Sequence, residues 1–136
     1  MPKVLLIEDD AFLAEDLEFF IKEAGHGFQW YRSADEVMEN MASIGTFDVI
    51  VLDLMMQKGN RLRDEDFGTP TTETGEVLFA KIVHQFPRSQ LIILSAKDEA
   101  FLQRQFGTHV NVRGVIPKPV DDDRLKRLLS LLEVER

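Results

Sequence analysis

Five residues of this 136-residue chain are of types that do chemistry together, and each stands at or just after the end of an apolar run. Val4-Leu5-Leu6-Ile7 runs into Glu8, Asp9 and Asp10. Val49-Ile50-Val51-Leu52 runs into Asp53, Leu91-Ile92-Ile93-Leu94 ends on Ser95, and the run Val112 to Ile116 meets Pro117-Lys118-Pro119. Carboxylates packed together raise one another's pKa values unless a cation intervenes. Oxygen-only donors of this kind suit Mg²⁺, which binds through a few carboxylates and keeps several waters. A hydroxyl and an ammonium beside them can hold an anion. The set amounts to a phosphoryl-transfer site, where positioning and charge neutralisation do most of the catalysis and a carboxylate can itself be the nucleophile. Singly, each residue has an ordinary reading: Asp53 and Ser95 as caps, Glu8 and Asp9 as solvated strand-end acids, Lys118 as a surface lysine. Their joint placement at strand ends, where open α/β sheets bind ligands, favours the chemical reading.

That placement depends on the elements between. Residues 4–7, 26–31, 48–53, 91–95 and 112–116 read as strands; continuous apolar runs mark three of them, the first, third and fourth, as buried. Helical spacing separates them. Leu13, Leu17, Phe20 and Ala24 predict one face of a first helix, with Gly25 as its stop. Phe12 and Phe19, seven apart, widen that face into a core stripe or form a partner-docking patch. Ser33 and Glu36 form a capping box ahead of Ala34, Val37, Met38 and Met41. Leu78, Ile82, Val83 and Phe86 predict a third helix ended by Pro87. Asp98 caps a short fourth carrying Phe101, Leu102 and Phe106, and Asp121, Asp122 and Asp123 open a last one lined by Leu125, Leu128, Leu129 and Leu132. Five strands alternating with five helices predict an α/β fold, a parallel sheet covered on both faces. Residues 57–74 break the pattern as a long polar segment with two glycines and a proline.

Composition narrows the function. The length suits one domain, residues 1–136, and 44% hydrophobic with 29% charged residues is ordinary for a globular protein. A formal net charge of −8 disfavours direct nucleic-acid binding. There is no cysteine for thiol chemistry, and no apolar run approaches a membrane span. The N-terminus lacks a signal-peptide pattern, so the expectation is a cytoplasmic protein without membrane contact.

Ile7-Glu8-Asp9-Asp10, Val51-Leu52-Asp53, Leu94-Ser95-Ala96 and Pro117-Lys118-Pro119, in this order and spacing, resemble the receiver domain of two-component response regulators over roughly residues 3–134. The resemblance implies a flavodoxin-like (βα)5 doubly wound sheet of strand order 2-1-3-4-5, with a long insertion after strand 3. It makes Asp53 the phosphoacceptor, Ser95 the switch hydroxyl and Lys118 the phosphoryl-binding lysine. Glu8, Asp9, Asp53 and the backbone carbonyl of Met55 become the Mg²⁺ ligands. It further implies a sensor histidine kinase or histidine phosphotransfer protein as phosphodonor, a monomer or weak dimer, and a Lys118–Pro119 bond that is often cis. His26, His84 and His109 lie in no phosphotransfer motif and read as structural or surface residues.

Two departures from the family stand out. Val115 occupies the position of its usual aromatic switch, so a flipping ring is not the readout. The glycine opening the third helix matches Gly75, leaving residues 57–74 as an insertion that is a solvated loop, a partner site or a lid over Asp53. Met55 and Lys97 hold positions that influence dephosphorylation in the family. The chain ends just after the last helix, so a stand-alone receiver is expected. Competing readings are a phosphorylation-independent docking module and a Mg²⁺-dependent phosphohydrolase. A hydrolase of the haloacid dehalogenase type wants an acid at Met55, and no glycine-rich phosphate loop follows strand one.

Overall fold

The computed structural model describes residues 2–133. The expected domain of 1–136 therefore has its first and last three residues outside the described part. Strands β1 (Lys3–Ile7), β2 (Gly27–Tyr31), β3 (Val49–Asp53), β4 (Leu91–Ser95) and β5 (Val112–Pro117) form one parallel sheet ordered β2-β1-β3-β4-β5. This is the expected flavodoxin-like order. Helices α1 (Ala11–Glu23), α2 (Ala34–Glu39), α3 (Thr74–Gln85), α4 (Glu99–Phe106) and α5 (Asp122–Leu132) alternate with the strands.

Strand periodicity divides the core into two layers. Leu5, Ile7, Ile50, Leu52, Leu91, Ile93 and Val115 face α2, α3 and α4, while Val4, Leu6, Val49, Val51, Ile92, Leu94 and Ile116 face α1 and α5. Each buried aliphatic side chain contributes roughly 1.5–3 kcal/mol. Both faces being covered explains why β1, β3 and β4 read as unbroken apolar runs.

Helix α1 departs from its expected face by one position. Ala14, Leu17 and Ile21 are buried, Leu13 packs partly against them, and Phe20 turns outward with its ring edge-on to Phe19. Phe12 and Phe19 are 84% and 59% exposed, so they widen no core stripe. Asp10 caps α1 by accepting from the N–H groups of Phe12 and Leu13. Gly25, at φ 91°, ends the helix as expected. The capping box of α2 is half formed: Ser33 Oγ accepts from Glu36 N, but the Glu36 carboxylate accepts from Arg32 N instead of returning to Ser33. Val115 fills a core slot at 2% exposure. Its carbonyl accepts from Arg127, which also pairs with Glu99 and so ties α5 to β5 and α4.

Residues 57–74 leave most of their side chains exposed but are anchored to the fold at several points. Leu62 is 2% exposed within the core layer under α2 and α3. Asp35 of α2 accepts from the N–H groups of Asn60 and Arg61 at 2.7–2.9 Å. Gly59 makes that turn at φ 73°, where a Cβ would press into the Asp35 carboxylate. A 3-10 turn at Asp64–Asp66 follows, with Asp66 paired to Lys81 of α3. The segment closes at Gly75, whose N–H donates to Leu54 O at 2.8 Å and whose α-carbon approaches the β3 main chain too closely for a Cβ.

Candidate phosphoryl-transfer site

Strand β1 pairs with β2 on one side and β3 on the other, so the direction of winding reverses between β1 and β3. Such a switch point leaves a crevice beyond the carboxyl ends of the two strands. Glu8 follows β1 and Asp53 ends β3, which puts both acids in that crevice. Glu8, Asp9 and Asp53 each offer a carboxylate oxygen, all within 4.8 Å of one another. Glu8 and Asp53 are fully buried and Asp9 is exposed.

Lys118 comes to the same edge from β5. Its N–H donates to Ser95 O at 2.7 Å, carrying the β4–β5 ladder one step on, and its peptide bond to Pro119 is cis. Its ammonium stands 2.8 Å from Glu8 Oε1 and 3.5 Å from Asp53 Oδ2. Apart from that ammonium, neither oxygen has a hydrogen-bond donor among the described residues. The other Asp53 oxygen, Oδ1, accepts from Met55 N at 3.1 Å, and Glu8 Oε2 accepts from Asp10 N at 3.0 Å. Ser95 is buried at the end of β4, its Oγ accepting from Lys97 N. The structure thus brings Glu8, Asp9, Asp53 and Lys118 into direct contact range and sets Ser95 beside Lys118 through the main chain.

The electrostatics follow from the crowding. Burial first, and the Asp53 charge second, hold the Glu8 carboxyl above its usual range. Burial and Glu8 raise Asp9. Burial also raises Asp53, against the opposing pull of Lys118 and the Met55 N–H. For Lys118, burial works against the charge, but Glu8 and Asp53 together outweigh it and keep the ammonium protonated above its usual range. Two buried carboxylate oxygens with only one shared ammonium between them, in an all-oxygen set, fit a hard divalent cation.

The insertion contributes no charge to this cluster. Lys58 pairs with Asp64, Arg61 with Glu39 and Arg63 with Glu65. Its cations are engaged on its own acids and on α2. Lys97 lies 3.9 Å from Glu73 and over the Phe101 ring. His26 is buried with Nε2 3.0 Å from Glu133, His109 packs on Phe79, and His84 is exposed, in line with structural and surface roles.

Sequence reasoning missed Trp30 and Arg32. The Trp30 indole nitrogen donates to the Glu8 carbonyl at 2.7 Å, fixing the loop that bears the acids. A tryptophan in a strand needs a partner for its N–H, and the residue two further on shares its face; those were the available signals.

One family's sequence model, described as the response regulator receiver domain, matches residues 4–130. Among curated proteins none matches the chain. The non-phosphorylated HemR receiver domain from Leptospira biflexa superposes with a TM-score of 0.73 at 26% identity, covering 100% of this chain and 98% of that one. The receiver domain of the Francisella response regulator 1452 superposes at 0.68 and 25% identity, covering 97% and 96%. A Burkholderia pseudomallei response regulator, solved with a phosphorylated aspartic acid, calcium and citrate, has the same fold (TM-score 0.70, 17% identity, 98% and 68% covered).

Proposed function

This chain belongs to the response regulator receiver domain family of two-component systems, and we propose that it takes a phosphoryl group from a histidine kinase or histidine phosphotransfer protein onto Asp53. A carboxylate oxygen of Asp53 forms a bond to phosphorus as the phosphorus–nitrogen bond of the donor phosphohistidine breaks. The electron pair stays on that nitrogen, which leaves as neutral imidazole when its other nitrogen carries a proton. The product is an acyl phosphate on Asp53.

Glu8, Asp9, Asp53 and the main-chain carbonyl of Met55 would hold Mg²⁺, which when bound neutralises charge on the phosphoryl oxygens. The Met55 N–H orients Asp53 by holding Oδ1 at 3.1 Å. That leaves Oδ2, whose nearest cation is Lys118, as the oxygen for attack. Lys118 and the Ser95 hydroxyl then pair with the phosphoryl oxygens, a charge change that biases the surface around α4 and β5. The observation that carries this reading is the buried Asp53 Oδ2, with no donor among the described residues besides the Lys118 ammonium at 3.5 Å, inside a cluster of three carboxylates.

The test is intact-mass analysis after incubation with acetyl phosphate and Mg²⁺. One phosphoryl adduct on the wild type and none on Asp53→Asn is expected. Equal labelling of both proteins, or none on either, contradicts the proposal.

A further inference from the structure

We propose that Arg32 is a specificity-determining residue that receives the phosphoryl dianion of the donor at the mouth of the acidic site. The inference rests on the phosphoacceptor reading of Asp53 and adds a residue to it. A hollow of about 250 Å³ adjoins the cluster, lined by Asp9, Arg32, Ser33, Met56 and Gln57. It therefore reaches from one of the clustered acids to an arginine just past β2. Two contacts position that exposed arginine, one at its main chain and one at its guanidinium. Its main-chain N–H donates to Glu36 Oε1 at 2.7 Å, and its guanidinium lies 4.6 Å from the centre of the Trp30 ring. Trp30 is in turn tied to the acidic loop through the Glu8 carbonyl.

A guanidinium stacked on a ring keeps its N–H donors pointing outward in its own plane, available for bidentate bonding to phosphate oxygens. Arg32 is also uncommitted. Lys58, Arg61, Arg63, Lys118 and Arg127 each have a carboxylate partner, whereas among the described residues no carboxylate lies within ion-pair distance of Arg32. Electrostatics give it a task. The chain carries a net charge of −8 and the site three carboxylates, so a dianionic donor approaches against repulsion. Lys118 already neutralises Glu8. Arg32 is the cation in the wall of the hollow without a carboxylate partner among the described residues, and its guanidinium already rests on the Trp30 ring before the donor arrives, which lowers the entropic cost of capture.

The phosphoryl dianion is common to acyl phosphates and to phosphohistidine on a protein, and two arms of one experiment separate these sources. Adduct formation is followed by intact mass against acetyl phosphate concentration, with saturating Mg²⁺, for wild type, Arg32→Gln and Arg32→Lys. For Arg32→Gln the KM rises about three- to tenfold, with the loss in KM and not in the saturating rate; its dependence on ionic strength flattens, and Arg32→Lys recovers part of the loss. Trp30, the only tryptophan, reports Mg²⁺ binding by fluorescence in the same proteins. Removing a nearby positive charge leaves Mg²⁺ affinity unchanged or tighter, opposite in direction to the effect on the donor.

An unchanged KM overturns the inference, as does weakened Mg²⁺ binding with a lowered saturating rate, which would mean that Arg32 only steadies Trp30. In the second arm a histidine phosphotransfer protein carrying phosphohistidine replaces acetyl phosphate. A loss confined to that arm would make Arg32 a protein-docking residue and also overturns it. If the wild type labels normally, these failures leave the phosphoacceptor reading standing. A wild type that never labels removes both.

Discussion

The Lys118 ammonium lies closer to Glu8, at 2.8 Å, than to Asp53, at 3.5 Å. The lysine thus serves as counter-ion to the acidic pair where a divalent cation would do the same work. Lys118→Met should therefore act in two directions. Three carboxylates without a cation lower the stability of the metal-free protein, by roughly 1–3 kcal/mol for a pair that is mostly buried. The same loss of competing positive charge tightens Mg²⁺ binding. Thermal melts with and without Mg²⁺ read both effects, and a variant with unaltered melting and unaltered Mg²⁺ affinity would contradict this picture.

Crowding also predicts a pH dependence. Glu8, Asp9 and Asp53 are raised above ordinary values of 4.5, 3.8 and 3.8, so the folded protein holds protons that the unfolded chain has released. The stability favoured by protonation is present below those ordinary values and lost as pH rises through the raised ones. At neutral pH the cluster costs stability. Asp53→Asn relieves it and should melt higher than wild type at pH 7, by about 1–2 kcal/mol, with the gap closing toward about pH 4. Calorimetry across that range checks the sign; a variant less stable at pH 7 would refute it.

The insertion carries a third prediction. Leu62 is buried in the core layer and Asp35 clamps the turn beside it. Leu62→Ala should cost about 2–3 kcal/mol through lost burial and the cavity left behind. Asp35→Ala frees two main-chain N–H groups and should cost about 1–2 kcal/mol, with faster proteolysis near Gly59. If residues 57–74 were loose, both substitutions would be neutral in urea melts.

Much of this architecture was legible in the sequence because its signals are local. Apolar runs of four or five residues gave the buried strands, and the acids, serine and lysine at their ends gave the site. Helix α1 was misplaced by one position because Phe20 and Ile21 are both apolar and only packing decides which turns in. The anchoring of the insertion was hidden because its contacts are non-local: Leu62 is one apolar residue in a polar stretch, and its clamp, Asp35, lies 25 residues before Asn60. The engaged state of Lys58, Arg61 and Arg63 was hidden for the same reason. Trp30 and Arg32 were overlooked because β2, at the sheet edge, alternates and carries no strand-end acid.

The most direct test of the account is to locate the phosphoryl group. Borohydride reduction of the labelled protein converts an aspartyl phosphate to homoserine, which peptide mass spectrometry places in the sequence. The account predicts homoserine at position 53 alone, formed only with Mg²⁺ present and abolished by chelator. Homoserine at another aspartate, or labelling that persists without a divalent cation, would contradict it.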